Sequence, residues 1–89
     1  MGLMIKRNGH DEEFDERKAY ASCYAACINS HHGKEESEQI AGQIIDALKL
    51  FIANKKEVSS DDLFRETIRE LNKIDPEAAF MYETHRDLS

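Results

Sequence analysis

The sequence predicts an α+β fold, mainly helical: a four-helix bundle capped by a small two- or three-stranded β-sheet. Three features predict it. Apolar residues recur at three- and four-residue spacing in separate stretches, cap-forming residues stand ahead of those stretches, and a short extended segment with an Asn-Gly turn opens the chain. With 89 residues there is room for one modest core, so residues 1–89 are read as one domain. Hydrophobic residues make up 40% of the chain and are clustered, which argues against a wholly disordered polypeptide.

Leu3 to Arg7 reads as a first strand, Asn8-Gly9 as its turn and Glu12 to Phe14 as the returning arm. The alternation is imperfect and that arm is acidic, so an irregular N-terminal loop is the alternative. Asp15 is the expected cap of a helix starting near Glu16, with Tyr20, Cys23, Tyr24, Cys27 and Ile28 on its apolar face and Gly33 as its stop. A second helix opens over Lys34 to Glu38. Its Ile40, Ala41, Ile44, Ile45, Leu48, Phe51 and Ile52 form the clearest core stripe of the chain. After the polar Lys55-Lys56-Glu57 connector, Val58-Ser59 is expected as a very short third strand and Ser60 as the cap of a third helix that buries Leu63, Phe64, Ile68 and Leu71. Asp75-Pro76 starts the fourth helix, because proline at the first helical position gives up an amide that has no intrahelical acceptor. Ala78 to Tyr82 are expected to pack its early turns, with a looser tail from Glu83.

Twelve basic and 18 acidic residues give a formal charge of -6, which argues against indiscriminate attraction to nucleic acid or to an anionic membrane. The apolar opening at Met1 is followed at once by Lys6 and Arg7 and reads as a strand, not an anchor. With two cysteines, no secretory pattern and no long apolar span, the expected location is the reducing cytoplasm. Cys23, Cys27 and His31 share a four-residue spacing that could line up two sulfurs and an imidazole, with His32 completing a polar cluster. The neighbouring Tyr20, Tyr24 and Ile28 make core packing the preferred reading, and no metal site is assigned. Glu12, Glu13, Asp15 and Glu16, with His10 or His85 as a base, form no nucleophile, base and acid constellation. Asn8-Gly9 also lacks the repeated glycines and the terminal Lys-Ser/Thr of a Walker loop, so no enzymatic activity is predicted.

Ile5-Lys6-Arg7-Asn8-Gly9, Glu12, Phe14-Asp15 and Lys18 occur in order, followed by Val58-Ser59-Ser60-Asp61-Asp62-Leu63 and the Asp75 to Tyr82 region. This pattern, spanning nearly the whole chain, resembles the ATP-cone family. That family is a nucleotide-sensing domain usually attached to ribonucleotide reductases and also found in a bacterial repressor of their genes; its fold is a helical bundle under a small sheet. The resemblance implies that Lys6, Arg7 and Lys18 face the phosphates of ATP or dATP. Arginine supplies bidentate contacts and each lysine a mobile ammonium. It implies hydrogen-bonding roles around the nucleotide for Glu12 and Asp15, although Asp15 is equally suited to cap a helix. Ser60 falls where the family has a threonine or serine that helps define the pocket, and a cap is its local alternative. Mg2+ would accompany the phosphates, with no dedicated ligand set assigned. Two departures, Phe64 at a position that is polar in some members and the Tyr82 to Arg86 ending, point away from a second nucleotide site.

The implied function is an adenine-nucleotide-binding regulatory domain, here a standalone chain, that couples ligand binding to a protein partner or to self-association without catalysis. The alternative is a nucleotide-independent helical adaptor or dimerisation module, with Ala19, Tyr20, Tyr24, Phe80, Met81 and Tyr82 on its contact face.

Overall fold

The computed structural model describes residues 3–7 and 9–85; the side chains of Arg7 and His85 are outside that set. Strand β1 (Met4–Arg7) pairs antiparallel with β2 (His10–Glu13), joining Met4 to Glu13, Ile5 to Glu12, Lys6 to Asp11 and Arg7 to His10. The return arm thus begins at His10, earlier than the Glu12 expected from sequence. Closing the Arg7–His10 pair leaves a two-residue turn, in which Gly9 adopts φ 82°, a conformation open to glycine at little cost. Its other turn residue, Asn8, lies outside the described residues. The Val58-Ser59 strand is reduced to a parallel bridge between Lys6 and Ser59, with the Lys6 amide donating to the Val58 carbonyl at 2.7 Å.

Helix α1 (Glu16–Ser30) starts under Asp15, whose carboxylate accepts the Lys18 amide at 3.1 Å. It stops at Ser30, before the expected Gly33. The Cys27 carbonyl accepts the amides of His31 and His32 and the Ser30 hydroxyl, which closes the last turn. Gly33 instead precedes the first residue of α2 (Lys34–Ala53), with an extended φ of -74° that any residue can adopt. Helix α3 (Ser60–Ile74) is capped by Ser59, not by Ser60. The Ser59 hydroxyl accepts the Asp62 amide and the Asp62 carboxylate accepts the Ser59 amide, both at 3.0 Å, forming a reciprocal capping box. Helix α4 (Pro76–His85) begins at the Asp-Pro step, where Asp75 accepts the Glu77 amide.

The core lies between the four helices. Ile40, Ala41, Ile44, Ile45, Leu48 and Ile52 of α2 pack with Cys23 and Cys27 of α1, Leu63 and Leu71 of α3, Ala78 and Ala79 of α4, and Val58. Helix α1 contacts α2 and α4, α3 contacts α2 and α4, and β1 rests on α3, so the hairpin covers one end of the bundle. Two expected core residues face outward: Ile28 is 41% and Phe80 62% exposed. No helix among the described residues is long and apolar enough to cross a membrane.

The capping box carries a pH signature. The Ser59 amide, then the Ser59 hydroxyl side of the box, holds the Asp62 carboxyl below its ordinary value. The sign is that of a carboxylate stabilised in the fold. Its contribution is complete above the unfolded value of about 3.9 and disappears as pH falls through the lower folded value. Urea denaturation should therefore find Asp62→Asn less stable than wild type at pH 7, with the two converging in acid. A difference that persists unchanged at pH 2 would remove the charge from this explanation.

Candidate functional site

Between the hairpin and helices α1, α3 and α4 lies an open pocket of about 620 Å3, within the range that holds small ligands. Strand parity turns one face of the hairpin toward it. Ile5 and Glu12 are cross-strand partners and both line the pocket, whereas the next pair, Lys6 and Asp11, projects from the opposite face. The Lys6 ammonium lies 3.4 Å from the Asp11 carboxylate, and Lys6 is not among the residues lining the pocket. Arg7 ends β1, but its side chain is outside the described residues.

Glu12, Asp15, Lys18 and Ser60, the remaining residues singled out from the sequence, all line the pocket. Asp15 does so while capping α1, so its two suggested roles coincide. Because Asp15 takes up the backbone amide of Lys18, the first turn of α1 is fixed beside the pocket; the Lys18 ammonium has no ion-pair partner among the described residues. Ser60 is released from capping by Ser59 and stands as the first residue of α3 on the pocket wall. Thr67, also on the wall, has its hydroxyl committed to the Leu63 carbonyl at 2.7 Å.

The apolar side of the pocket was not legible residue by residue. Phe64 of α3 and Tyr82 of α4 stack with ring centroids 5.6 Å apart and an interplanar angle of 29°, and Phe14, Leu63 and Met81 extend the same surface. A flat aromatic group of a ligand would find a matching face there. A helical spacing pattern could suggest that Phe64 and Tyr82 face inward, but only the packing of α3 on α4 brings them together.

The two cysteines take no part in this pocket. Both are buried and free. Burial, then the charge of Cys27, pushes the Cys23 thiol up to about 12, and burial, then the carboxylates of Asp75 and Glu36, pushes Cys27 up to about 11. Thiols held neutral in this way are core packing groups and poor metal ligands or nucleophiles.

The fold defines a small helical domain with a hairpin-covered pocket lined by aromatic and charged residues. No known protein-family model matches the chain, and no curated protein does.

Proposed function

We propose that the chain is an adenine-nucleotide-binding regulatory domain of the ATP-cone type, taking ATP or dATP with Mg2+ and altering a protein contact or self-association without chemical turnover. The observation that carries this reading is that Glu12, Asp15, Lys18 and Ser60, drawn from separated parts of the resembling motif, line one pocket with an aromatic wall. The Phe64–Tyr82 pair suits the base, Lys18 suits the phosphates, and the carboxylates suit hydroxyl or amine groups between them. Arg7 stands two positions after the pocket-lining Ile5 and is the second cation of the proposal.

Charge decides the form of the ligand. Glu12 and Asp15 line the same wall as Lys18, so a polyanion entering there meets acidic as well as basic residues. Two like charges 4 Å apart repel by about 4 kcal/mol at an effective dielectric constant of 20. A bare triphosphate is disfavoured beside acidic residues, and a magnesium chelate, which masks part of the phosphate charge, is preferred.

Isothermal titration of ATP, dATP, ADP and inorganic triphosphate, each with Mg2+ and with a chelator, tests this reading. The expected result is saturable binding of the magnesium-bound adenine triphosphates, weakened at least about tenfold by the chelator. Flat heats from a folded sample would defeat it. Leu50 and Phe80, 66% and 62% exposed, favour the second reading, a constitutive adaptor. Sedimentation with and without ATP separates the two: an assembly that ignores nucleotide supports the adaptor, and one that shifts supports the sensor.

A further inference from the structure

At the end of the bundle opposite the hairpin, the turn between α1 and α2 meets the junction of α3 and α4. His31, His32 and Asp75 converge there, with ligand atoms all within 4.8 Å of one another. His32 Nε2 is 2.6 Å and His31 Nε2 3.6 Å from the same oxygen, Asp75 Oδ2. The rings stack with centroids 4.5 Å apart. Each ring also turns its other nitrogen to a glutamate: His32 Nδ1 contacts Glu36, and His31 Nδ1 is 3.5 Å from Glu77. Asp75 Oδ1 accepts the Glu77 amide, which orients the carboxylate so that Oδ2 faces both imidazoles.

We infer that this cluster is a site for a borderline divalent transition-metal ion of the zinc class, held by His31 Nε2, His32 Nε2 and Asp75 Oδ2, with Glu36 and Glu77 positioning the rings. Two nitrogens and one oxygen are the donor set of such ions, which Mg2+ and Ca2+ do not favour. Bond lengths near 2.1 Å about a tetrahedral centre separate ligand atoms by roughly 3.4 Å, close to the His31–Asp75 spacing and within a small rotation of His32. Carboxylates on the far nitrogens fix the ring orientation, the arrangement that supports metal-bound histidines.

His32 Nε2 faces Asp75 while its Nδ1 faces Glu36, so the ring is held with one nitrogen toward the cluster. Water completes the coordination at the exposed His31 side, where the imidazole is 59% accessible. The cysteines are not ligands: the three residues that converge are those of the helix junction, and the sequence spacing of Cys23, Cys27 and His31 does not define the site.

Cobalt titration of tag-free protein is the test, with zinc as competitor. Expected are one Co2+ per chain, visible d–d absorption, displacement by zinc, and no thiolate-to-cobalt charge-transfer band. His31→Ala, at an exposed position, should weaken binding at least about tenfold, and Glu36→Gln by roughly 10- to 100-fold, with helical circular dichroism unchanged in both. Absence of saturable uptake at one equivalent, a thiolate band, or wild-type affinity in a folded His31→Ala would overturn the assignment. Asp75→Asn is the confirming variant, read only alongside its circular dichroism because Asp75 also joins two helices.

Discussion

Lys18→Glu should lose affinity for magnesium-bound ATP by about 100-fold while remaining as folded as wild type. The binding loss follows from charge. Removing a charge-assisted contact costs about 1.5–3 kcal/mol, the upper end of which is roughly 100-fold, and the introduced carboxylate adds repulsion. The fold is protected by the same residue's place in its helix. Lys18 is the third residue of α1, capped by Asp15, so a glutamate there can reach back to the Asp15 amide as the acidic partner of a capping box and lies at the positive end of the helix. A binding defect in this variant therefore cannot be attributed to unfolding. Isothermal titration checks the affinity and urea denaturation the stability. Unchanged affinity would take Lys18 out of the phosphate site, even if the nucleotide still binds.

The largest stability effect is expected for Leu71→Ala. Leu71 is fully buried between α3 and its neighbours and is not among the residues lining the pocket. Removing a buried leucine to alanine costs about 2–5 kcal/mol, according to how far the surroundings collapse. Small domains have total stabilities of about 5–15 kcal/mol, so this one change consumes a large share. The thermal denaturation midpoint should drop by roughly 8–40 °C, at about 4–8 °C per kcal/mol for a chain of this size. Phe80→Ala, which removes a mostly exposed ring, should move stability by no more than about 0.5 kcal/mol. Equal effects at the two positions would contradict the packing of α3 and α4.

The helices were legible because their signals are local. Asp15 ahead of Glu16, the isoleucine and leucine stripe of α2, and Asp75-Pro76 each state a start or a buried face within one or two turns. The choice between Ser59 and Ser60 as cap was also readable, since three residues after Ser59 stands Asp62, the acid a capping box requires, and three after Ser60 stands Leu63. Strand parity was harder. Lys6 pairs with Asp11 and Ile5 with Glu12, and which of these pairs sits over the pocket depends on a register that the imperfect alternation of the arm does not fix.

What sequence could not reveal is the product of long-range packing. Phe64 meets Tyr82 only because α4 packs on α3, and His32 meets Asp75 only because the start of α4 is brought to the end of α1. The four-residue rhythm of Cys23, Cys27 and His31 was a local pattern that the fold does not use. It places the sulfurs inward, while the imidazole of His31 looks out across the junction to Asp75 and Glu77.

The bond from the Lys6 amide to the Val58 carbonyl has a mechanical consequence, because Val58 immediately precedes the residue that caps α3. Swinging the hairpin away from the bundle breaks that bond, at a cost of about 0.5–1.5 kcal/mol, so hairpin opening and loosening of the segment that roots α3 are energetically linked.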